Sequence, residues 1–224
     1  MRPFQLDMDP ANVDPDGLAD ENDSTGTTLT LDGALTSGGT FTSLDGLAHR
    51  LDIIDVSTVD QSGATFTVTG TDADGKAQTE AITGPGSGAT VESTKYFLTV
   101  SSVTIASPAE ACTVDMGTVD EVASKTLVLD CYDPEPAVVQ VDVTGTISYD
   151  VQVTLQDPFN AAAAPFTLSD QEDLAWFNDA NFGAKTADLL DNLADPGVRA
   201  MRVVTNSYTD TAELQVYVVQ PRSR

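Results

Sequence analysis

The sequence predicts an all-β protein with two β-sandwich or jelly-roll-like domains, preceded by an extended acidic N-terminal arm. Short runs of residues alternate between apolar and polar with a period of two, as half-buried strands do. Aromatic residues make up only 6% of the chain, while Thr, Val, Asp, Ala and Gly are abundant, and this mixture favours strands joined by tight turns. With 41% hydrophobic residues in 224, the chain has enough apolar surface to form a core.

The predicted arm covers residues 1–26. It contains seven acidic residues and three prolines, a composition typical of an extended segment rather than of a packed element. Two interpretations are open, since the segment could be a flexible terminus or an arm that becomes ordered on a neighbouring subunit.

The first β domain is predicted over residues 27–132. Its clearest element is FTVTGTDADGKAQTEAITG, in which Phe66 and Val68 share one face while the threonines between them line the other. The turn DADG at 72–75 separates two alternating runs, which predicts a β-hairpin. Further strands are expected in the first domain at 27–35, 51–56, 96–105, 112–116 and 126–129.

The second β domain is predicted over residues 137–221. We place the boundary near 132–137, because Pro134 and Pro136 interrupt regular structure there. Two strands are expected around Gly145, and two more at 198–205 and 212–219. Between them, a short helical insertion is predicted around 169–193, with Ser169 and Glu172 spaced as a capping box.

The formal net charge is −25, from 35 acidic and 10 basic residues. A surface of this sign repels phosphate and anionic lipid headgroups, so we expect neither a nucleic-acid partner nor a membrane partner. It suits either a salty medium or a crowded surface on which like charges prevent aggregation. The opening MRPFQLDMDPANVDPDG has no basic segment followed by an apolar one, so we expect folding in a cytoplasm without export.

The residues that could support catalysis are few. His49 is the only histidine, and no nucleophile motif adjoins it, so we expect a strand-end or surface histidine and no enzyme. Cys112 and Cys131 fit no zinc or redox spacing. They are expected to be reduced thiols, with a disulfide between neighbouring strands as the alternative.

Three other patterns resemble sites, and each has a plainer structural explanation. Asp72, Asp74 and Glu80 resemble part of a calcium loop, but the complete ligand order is missing and a hairpin turn needs no metal. The pair Trp176-Phe177 could line a sugar cleft, although a core anchor fits better. The loop GPGSG at 84–88 lacks the lysine of a phosphate-binding loop. We therefore expect no cofactor and no metal.

The basic residues stand out on such an acidic chain. Arg199, Arg202, Arg222 and Arg224 lie near the end of the sequence. They are candidate contacts to an acidic neighbour or to symmetry-related copies. The alternative is that they only protect strand edges by their charge.

Two parts of the sequence resemble structural proteins of tailed bacteriophages. The first is FTVTGTDADGKAQTEAITGPGSGATVESTKYFLTVSSVTIAS, through the motif at 69–75, Glu80, the ITGP at 82–85, Tyr96-Phe97 and the strand at 100–104. The second comprises VDVTGTISYDVQVTLQDPF, WFND and the late RVVTNS and AELQVYVVQ, which are similar to the distal part of the same proteins. Together these stretches cover about two-thirds of the chain.

The resemblance implies a non-enzymatic role in a virion, since the family offers no catalytic residues to transfer. Within it we expect a capsid decoration (cement) protein that binds the major capsid protein or other virion proteins and forms a symmetric homo-oligomer. A neck, tail or head-fibre component is the alternative. A further alternative is an acidic cell-surface or carbohydrate-binding module.

Overall fold

The computed structural model describes residues 4–108, 112–130, 135–159 and 168–220, and these form a protein built almost entirely of strands, as the sequence predicts. Within those ranges there are eighteen β-strands and one 3-10 turn, Gln171–Asp173. The strands are β1 Phe4–Met8, β2 Ala19–Asp23, β3 Thr28–Leu29, β4 Thr36–Ser37, β5 Thr40–Thr42, β6 Ala48–Asp55, β7 Thr65–Thr71, β8 Ala77–Thr83, β9 Thr90–Glu92, β10 Thr99–Ala106, β11 Thr113–Ala123, β12 Leu127–Val128, β13 Val138–Thr144, β14 Ile147–Thr154, β15 Phe177–Asn178, β16 Leu189–Asn192, β17 Ala200–Tyr208 and β18 Glu213–Val219.

Internal contacts divide the chain into two compact units. The middle unit is Val13–Val119, and the terminal unit comprises Met1–Asn12 with Asp120–Arg224. The division therefore lies at a different place from the boundary predicted at 132–137. The physical reason is strand pairing, since β12 pairs with β17 and ties the residues before the prolines to the second half of the chain.

The middle unit packs two groups of strands around one core. The first group has the order β4-β5-β10-β7-β8, with β3 also paired to β10, and in the second β6 lies between β9 and β11. Large side chains from both groups are buried together, which is the arrangement of a β-sandwich. The core includes Leu18, Leu29, Phe41, Leu51, Ile53, Phe66, Val68, Phe97, Val103, Ile105 and Met116.

The predicted hairpin is confirmed as β7 and β8, which pair from Thr65↔Thr83 to Thr71↔Ala77. Phe66 and Val68 are fully buried, and the intervening threonines are half-buried on the other face. Asp72 closes the turn, because its Oδ1 accepts the N–H of Asp74 at 2.9 Å and that of Lys76 at 2.8 Å. Gly75 supplies the left-handed conformation, with φ +76°, that this turn needs.

The terminal unit is also a two-sheet arrangement. One sheet has the order β1-β18-β13-β16, and in the other β14 lies between β15 and β17. The two strands predicted around Gly145, β13 and β14, do not pair with each other but belong to different sheets. Gly145 makes the corner with φ +76°, and a Cβ there would lie 3.0 Å from Thr211 and Ala212 at the neighbouring β17–β18 corner.

The prediction of an extended N-terminal arm is not confirmed for the residues described. In the terminal unit, β1 pairs with β18 over five residues. In the middle unit, β2 pairs with β11, and Leu18 and Ala19 are fully buried. The many Asp and Pro residues of this segment make a short apolar–polar alternation at Phe4, Leu6 and Met8 easy to overlook. Of these three side chains, Met8 is buried.

The predicted helical insertion around 169–193 is wrong except for the single 3-10 turn. The N-cap of that turn is Asp170 rather than Ser169, and it makes no side-chain capping bond. The rest of the segment contains β15 and β16, and β16 pairs with Val138–Val141 of β13. Pairing with an existing strand therefore outweighs the weak local helix propensity of these residues.

Candidate functional site

His49 is held by a carboxylate rather than by a nucleophile. Its Nε2 lies 2.9 Å from Asp45 Oδ2, and its side chain is 3% exposed. Ser43 donates a hydrogen bond to the same carboxylate, so the acid lies between the serine and the histidine. A catalytic triad needs the histidine in that central position to remove the proton of the nucleophile. The cluster therefore does not activate Ser43, and it fixes the backbone before β6.

The acidic residues that resembled a calcium loop each hold backbone groups. Asp72 closes the hairpin turn, and the carboxylate of Glu80 accepts the N–H groups of Thr94 at 2.7 Å and Lys95 at 3.0 Å. No group of three or more His, Cys, Asp or Glu side chains is arranged for a metal ion among the residues that the structure describes. In those same ranges, no helix is long and apolar enough to cross a membrane.

Buried aspartates recur as anchors of loops. Asp55 accepts the N–H of Gly88 at 2.6 Å, and it accepts both the N–H and the hydroxyl of Ser57, at 3.0 and 2.7 Å. Burial disfavours its charged form, but these hydrogen bonds outweigh burial and hold the pKa of Asp55 below its usual value. Asp179 accepts the N–H of Asn181 at 2.9 Å and that of Ala194 at 2.7 Å. Some of the acidic residues therefore stabilise loops of the fold.

Two other ionisable side chains are buried and structural. The Cys112 thiol is free and 1% exposed, with its Sγ 3.0 Å from Ser57 Oγ. Cys131 lies outside the described residues, so the alternative of a disulfide stays a prediction. Tyr149 donates to the carbonyl of Ala187 at 3.1 Å. Burial, helped by the charge of Asp188, raises the pKa of Tyr149 to about 12, so its phenol stays protonated at neutral pH.

Arg202 is bound inside the terminal unit. It is 7% exposed, its Nε donates to Gln152 Oε1 at 2.9 Å, and one of its terminal nitrogens donates to Gln171 Oε1 at 3.0 Å. The guanidinium also stacks over Trp176, 4.8 Å from the ring centre, and the indole N–H donates to the carbonyl of Gln171 at 2.8 Å. Arg202 thus holds Gln171, the first residue of the 3-10 turn, against β17.

The other arginines singled out in the sequence have different positions. Arg199 is about one-third exposed and lies 3.7 Å from Asp157 in a loose ion pair. It lines a surface cleft of about 160 Å³ together with Val128, Leu129, Asp130 and Phe159. Arg222 and Arg224 lie outside the described residues. Of the four, Arg199 is therefore the one seen at an accessible surface.

An apolar groove at the end of β14 is the best candidate for a binding site. It has a volume of about 370 Å³ and is lined by Val153, Thr154, Leu155, Gln156, Ala175, Phe177, Asp195 and Val198, and we call it the Phe177 groove. Its two largest apolar side chains are exposed to solvent, Leu155 at 67% and Phe177 at 66%. Full burial of such a side chain stabilises a complex by about 1.5–3 kcal/mol, so a partner that covers both gains substantially.

The local structure explains why these side chains face water. Along β14 the apolar residues on one face are buried at Tyr149 and Val151, and Val153 is 9% exposed. Leu155 continues that alternation one step beyond the end of the strand. Phe177 lies in β15, which pairs with β14 only through Val153↔Phe177 and Gln152↔Asn178. The hydrophobic core ends at this edge of the sheet, and the next apolar side chains, Leu155 and Phe177, are exposed to solvent.

The sequence pattern does not predict this groove. The prediction that Trp176-Phe177 is a core anchor is wrong for the exposed Phe177, while Trp176 is half-buried against Arg202. The sequence signal for the groove is the apolar alternation from Tyr149 to Leu155, which is followed directly by the polar residues Gln-Asp-Pro. When apolar residues continue beyond the end of a strand, they indicate an exposed apolar patch.

Comparisons with known proteins identify no family. Neither a protein-family model nor a curated protein matches the chain. Among solved structures, the crystal structure of the major capsid protein P2 from Bacteriophage PM2 aligns over 99% of both chains, with 11% sequence identity and a TM-score of 0.22. A TM-score this low does not establish a shared fold, and the likeness supports no conclusion about this chain.

Proposed function

We propose that the protein is a non-enzymatic structural component of a tailed-bacteriophage particle. Within that class, we propose a capsid decoration protein that binds across the joints between major capsid subunits and stabilises the shell. It would be made in the host cytoplasm and exposed on the virion after lysis. Symmetric copies would bind the shell, as is usual for particle components.

The observation that supports this proposal is the sequence resemblance and the place it takes in the fold. The motif TGTDADG forms the end of β7 and its turn, and the strand at 100–104 lies in β10, which pairs with β7. The resembling residues therefore build a sheet and its turns. Sheets and turns of this kind fit a role based on shape and surface.

The chemistry of the polar residues is consistent with a structural role. Asp45, Asp55, Asp72 and Asp179 hold loops through backbone N–H groups, which keeps the connections between strands short and fixed. The chain as a whole has a net charge of −25, and like charges keep many copies of an outer protein from aggregating.

The candidate contacts to other virion proteins are Arg199, Arg222 and Arg224. Arg199 borders an exposed cleft, and an acidic partner could displace its loose ion pair with Asp157 at small cost, because exposed pairs contribute about 0–1 kcal/mol. Arg202 does not belong to this proposal, since its guanidinium is buried and bonded within the chain.

Quantitative mass spectrometry of purified particles tests the proposal. It gives the number of copies of this chain relative to the major capsid protein. A ratio near unity, or a simple large fraction of it, is the expected result for a decoration protein. A few copies per particle would instead indicate the neck, tail or fibres, and absence from particles would rule out a virion role.

A further inference from the structure

We propose that the Phe177 groove is a docking site for an extended peptide segment of another protein, one that combines large apolar side chains with a neighbouring lysine or arginine. This inference concerns the binding chemistry of the surface. It stands or falls separately from the proposed role in a virion.

The groove offers an apolar floor between two exposed walls. Val153 and Val198 are buried beneath it, and Leu155 and Phe177 stand above them with about two-thirds of their surface in water. Leu44 is a useful contrast, because it is 90% exposed but lies in the middle unit, outside every described cleft. An exposed apolar patch with a concave shape is typical of an interaction surface, whereas a single exposed leucine is ordinary.

The walls of the groove are held in place before any partner binds. Gln156 Oε1 accepts the backbone N–H of Ala175 at 2.6 Å, which links the two sides of the groove. The N–H of Gln156 donates to Thr154 Oγ1 at 3.1 Å, and this bond fixes the chain directly after β14. A site that is already ordered loses little conformational entropy on binding.

The position of the groove favours an extended partner. Phe177 belongs to β15, which pairs with β14 on one side and is the last strand of its sheet in the part of the chain that the structure describes. An edge strand can accept an additional strand through main-chain hydrogen bonds, while adjacent apolar pockets select its side chains. The groove lies directly beside this edge, so one extended segment can use both features.

The charge around the Phe177 groove favours one kind of partner over the others. Asp195 is exposed on the rim, and the whole chain has a net charge of −25. A lysine or arginine beside the apolar residues of a partner is therefore attracted, and a second copy of this acidic chain is repelled. Anionic lipid headgroups and nucleic acid are repelled for the same reason.

Selection from a random displayed peptide library is the test. The full-length protein serves as bait, and a Leu155→Ser/Phe177→Ser double variant serves for counter-selection. The affinity of an enriched synthetic peptide is then measured by titration calorimetry. Both substituted side chains are exposed, so the variant should keep the circular dichroism spectrum and melting temperature of the parent.

The expected result is a set of enriched peptides that share apolar residues next to Lys or Arg. Phe177→Ser should weaken binding roughly tenfold or more, as expected for a central aromatic contact, and Asp195→Asn roughly two- to fivefold. Raising sodium chloride from about 0.1 M to about 1 M should weaken binding further, because it shortens the screening length from about 10 Å to about 3 Å. The matched controls Leu44→Ser and Asp20→Asn should leave the affinity unchanged.

Three results would overturn the proposal. The first is no enrichment, and the second is enriched peptides without basic residues or with equal affinity for Phe177→Ser. The third is a glycan-array signal that is lost in Phe177→Ser while no peptide binds, since that would assign the groove to a carbohydrate.

Discussion

Asp52 is a buried carboxylate whose ionisation opposes the folding of the middle unit. It lies in β6, is 6% exposed, and faces Glu92 directly across the pairing with β9. Burial is the main cause that raises its pKa to about 7. The N–H of Gly117, 3.1 Å from Oδ1, works in the opposite direction, while the charges of Glu92 and Asp115 raise the pKa further.

The effect on stability follows from the direction of this shift. An unfolded aspartate has a pKa of about 3.9, so the folded state binds the proton of Asp52 more tightly. The stabilisation from protonated Asp52 is complete below pH of about 4 and is lost as the pH rises through about 7. The difference of about three pKa units gives an upper limit of about 4 kcal/mol, and structural relaxation reduces it to about 1–3 kcal/mol.

The substitution Asp52→Asn tests this reasoning. Asparagine keeps an oxygen to accept the N–H of Gly117 and removes the buried charge. We expect it to raise the free energy of unfolding of the middle unit by about 1–3 kcal/mol at pH 8 and by much less at pH 5, where Asp52 is already protonated. Trp176 lies in the terminal unit, so its fluorescence does not report the unfolding of the middle unit. Hydrogen exchange of the backbone amides in β6 and β11 is the suitable measurement.

Asp20→Asn is the matched control, because it removes the same charge from an exposed residue of the same unit. It should change stability by only a few tenths of a kcal/mol at either pH. An equal gain for Asp52→Asn at pH 5 and pH 8, or a loss at pH 8, would refute the assignment of a buried charge that opposes folding.

Three further substitutions test the other structural assignments. Asp179→Ala leaves two backbone N–H groups without their acceptor, and it should destabilise the terminal unit by about 1–3 kcal/mol in urea unfolding. Gly70→Ala places a Cβ directly against the carbonyl oxygen of Thr99. It should separate β7 from β10 and lower the melting temperature by several degrees or prevent folding. Arg202→Lys loses the planar contact with Trp176 and should cost about 1–2 kcal/mol, with a shift in tryptophan emission.

Matched controls exist for each of these changes. Asp173→Ala alters an exposed aspartate, Gly63→Ala adds a Cβ with no neighbour within 4 Å, and Arg199→Lys changes an arginine that is about one-third exposed. Each should leave stability within about 0.5 kcal/mol of the parent. If a control were as destabilising as its partner, the specific contact would not be the cause.

The elements that the sequence predicts best are those with strong local signals. The hairpin β7–β8 follows from alternating Phe66 and Val68 around an Asp-Gly turn. The late strands β17 and β18 lie where strands are predicted at 198–205 and 212–219. Segments with weak local signals were assigned incorrectly. The stretch containing Leu189–Asn192 tolerates a helix by propensity, but it forms β16 because β13 offers a strand to pair with.

The candidate site was less predictable than the fold. Arg199 is predicted as a contact to a partner, and this stays a prediction, although the residue lines an exposed cleft. Arg202 has the same residue type and a similar setting in the sequence, but its side chain is buried under Trp176. Phe177 shows the reverse, since an aromatic residue expected in the core is 66% exposed. Which of two similar side chains faces solvent depends on what packs over it, and local sequence does not specify that.

The sequence by itself determined the all-β class, the hairpin and the acidic net charge, because each depends on composition or on neighbouring residues. Only the tertiary structure decided that β13 and β14 enter different sheets, that the acidic N-terminal segment forms β1 and β2, and that Leu155 and Phe177 meet in one groove. These features depend on pairing between residues far apart in the chain. The free energy of such pairing comes from burial and hydrogen bonds that exist only once the fold has formed.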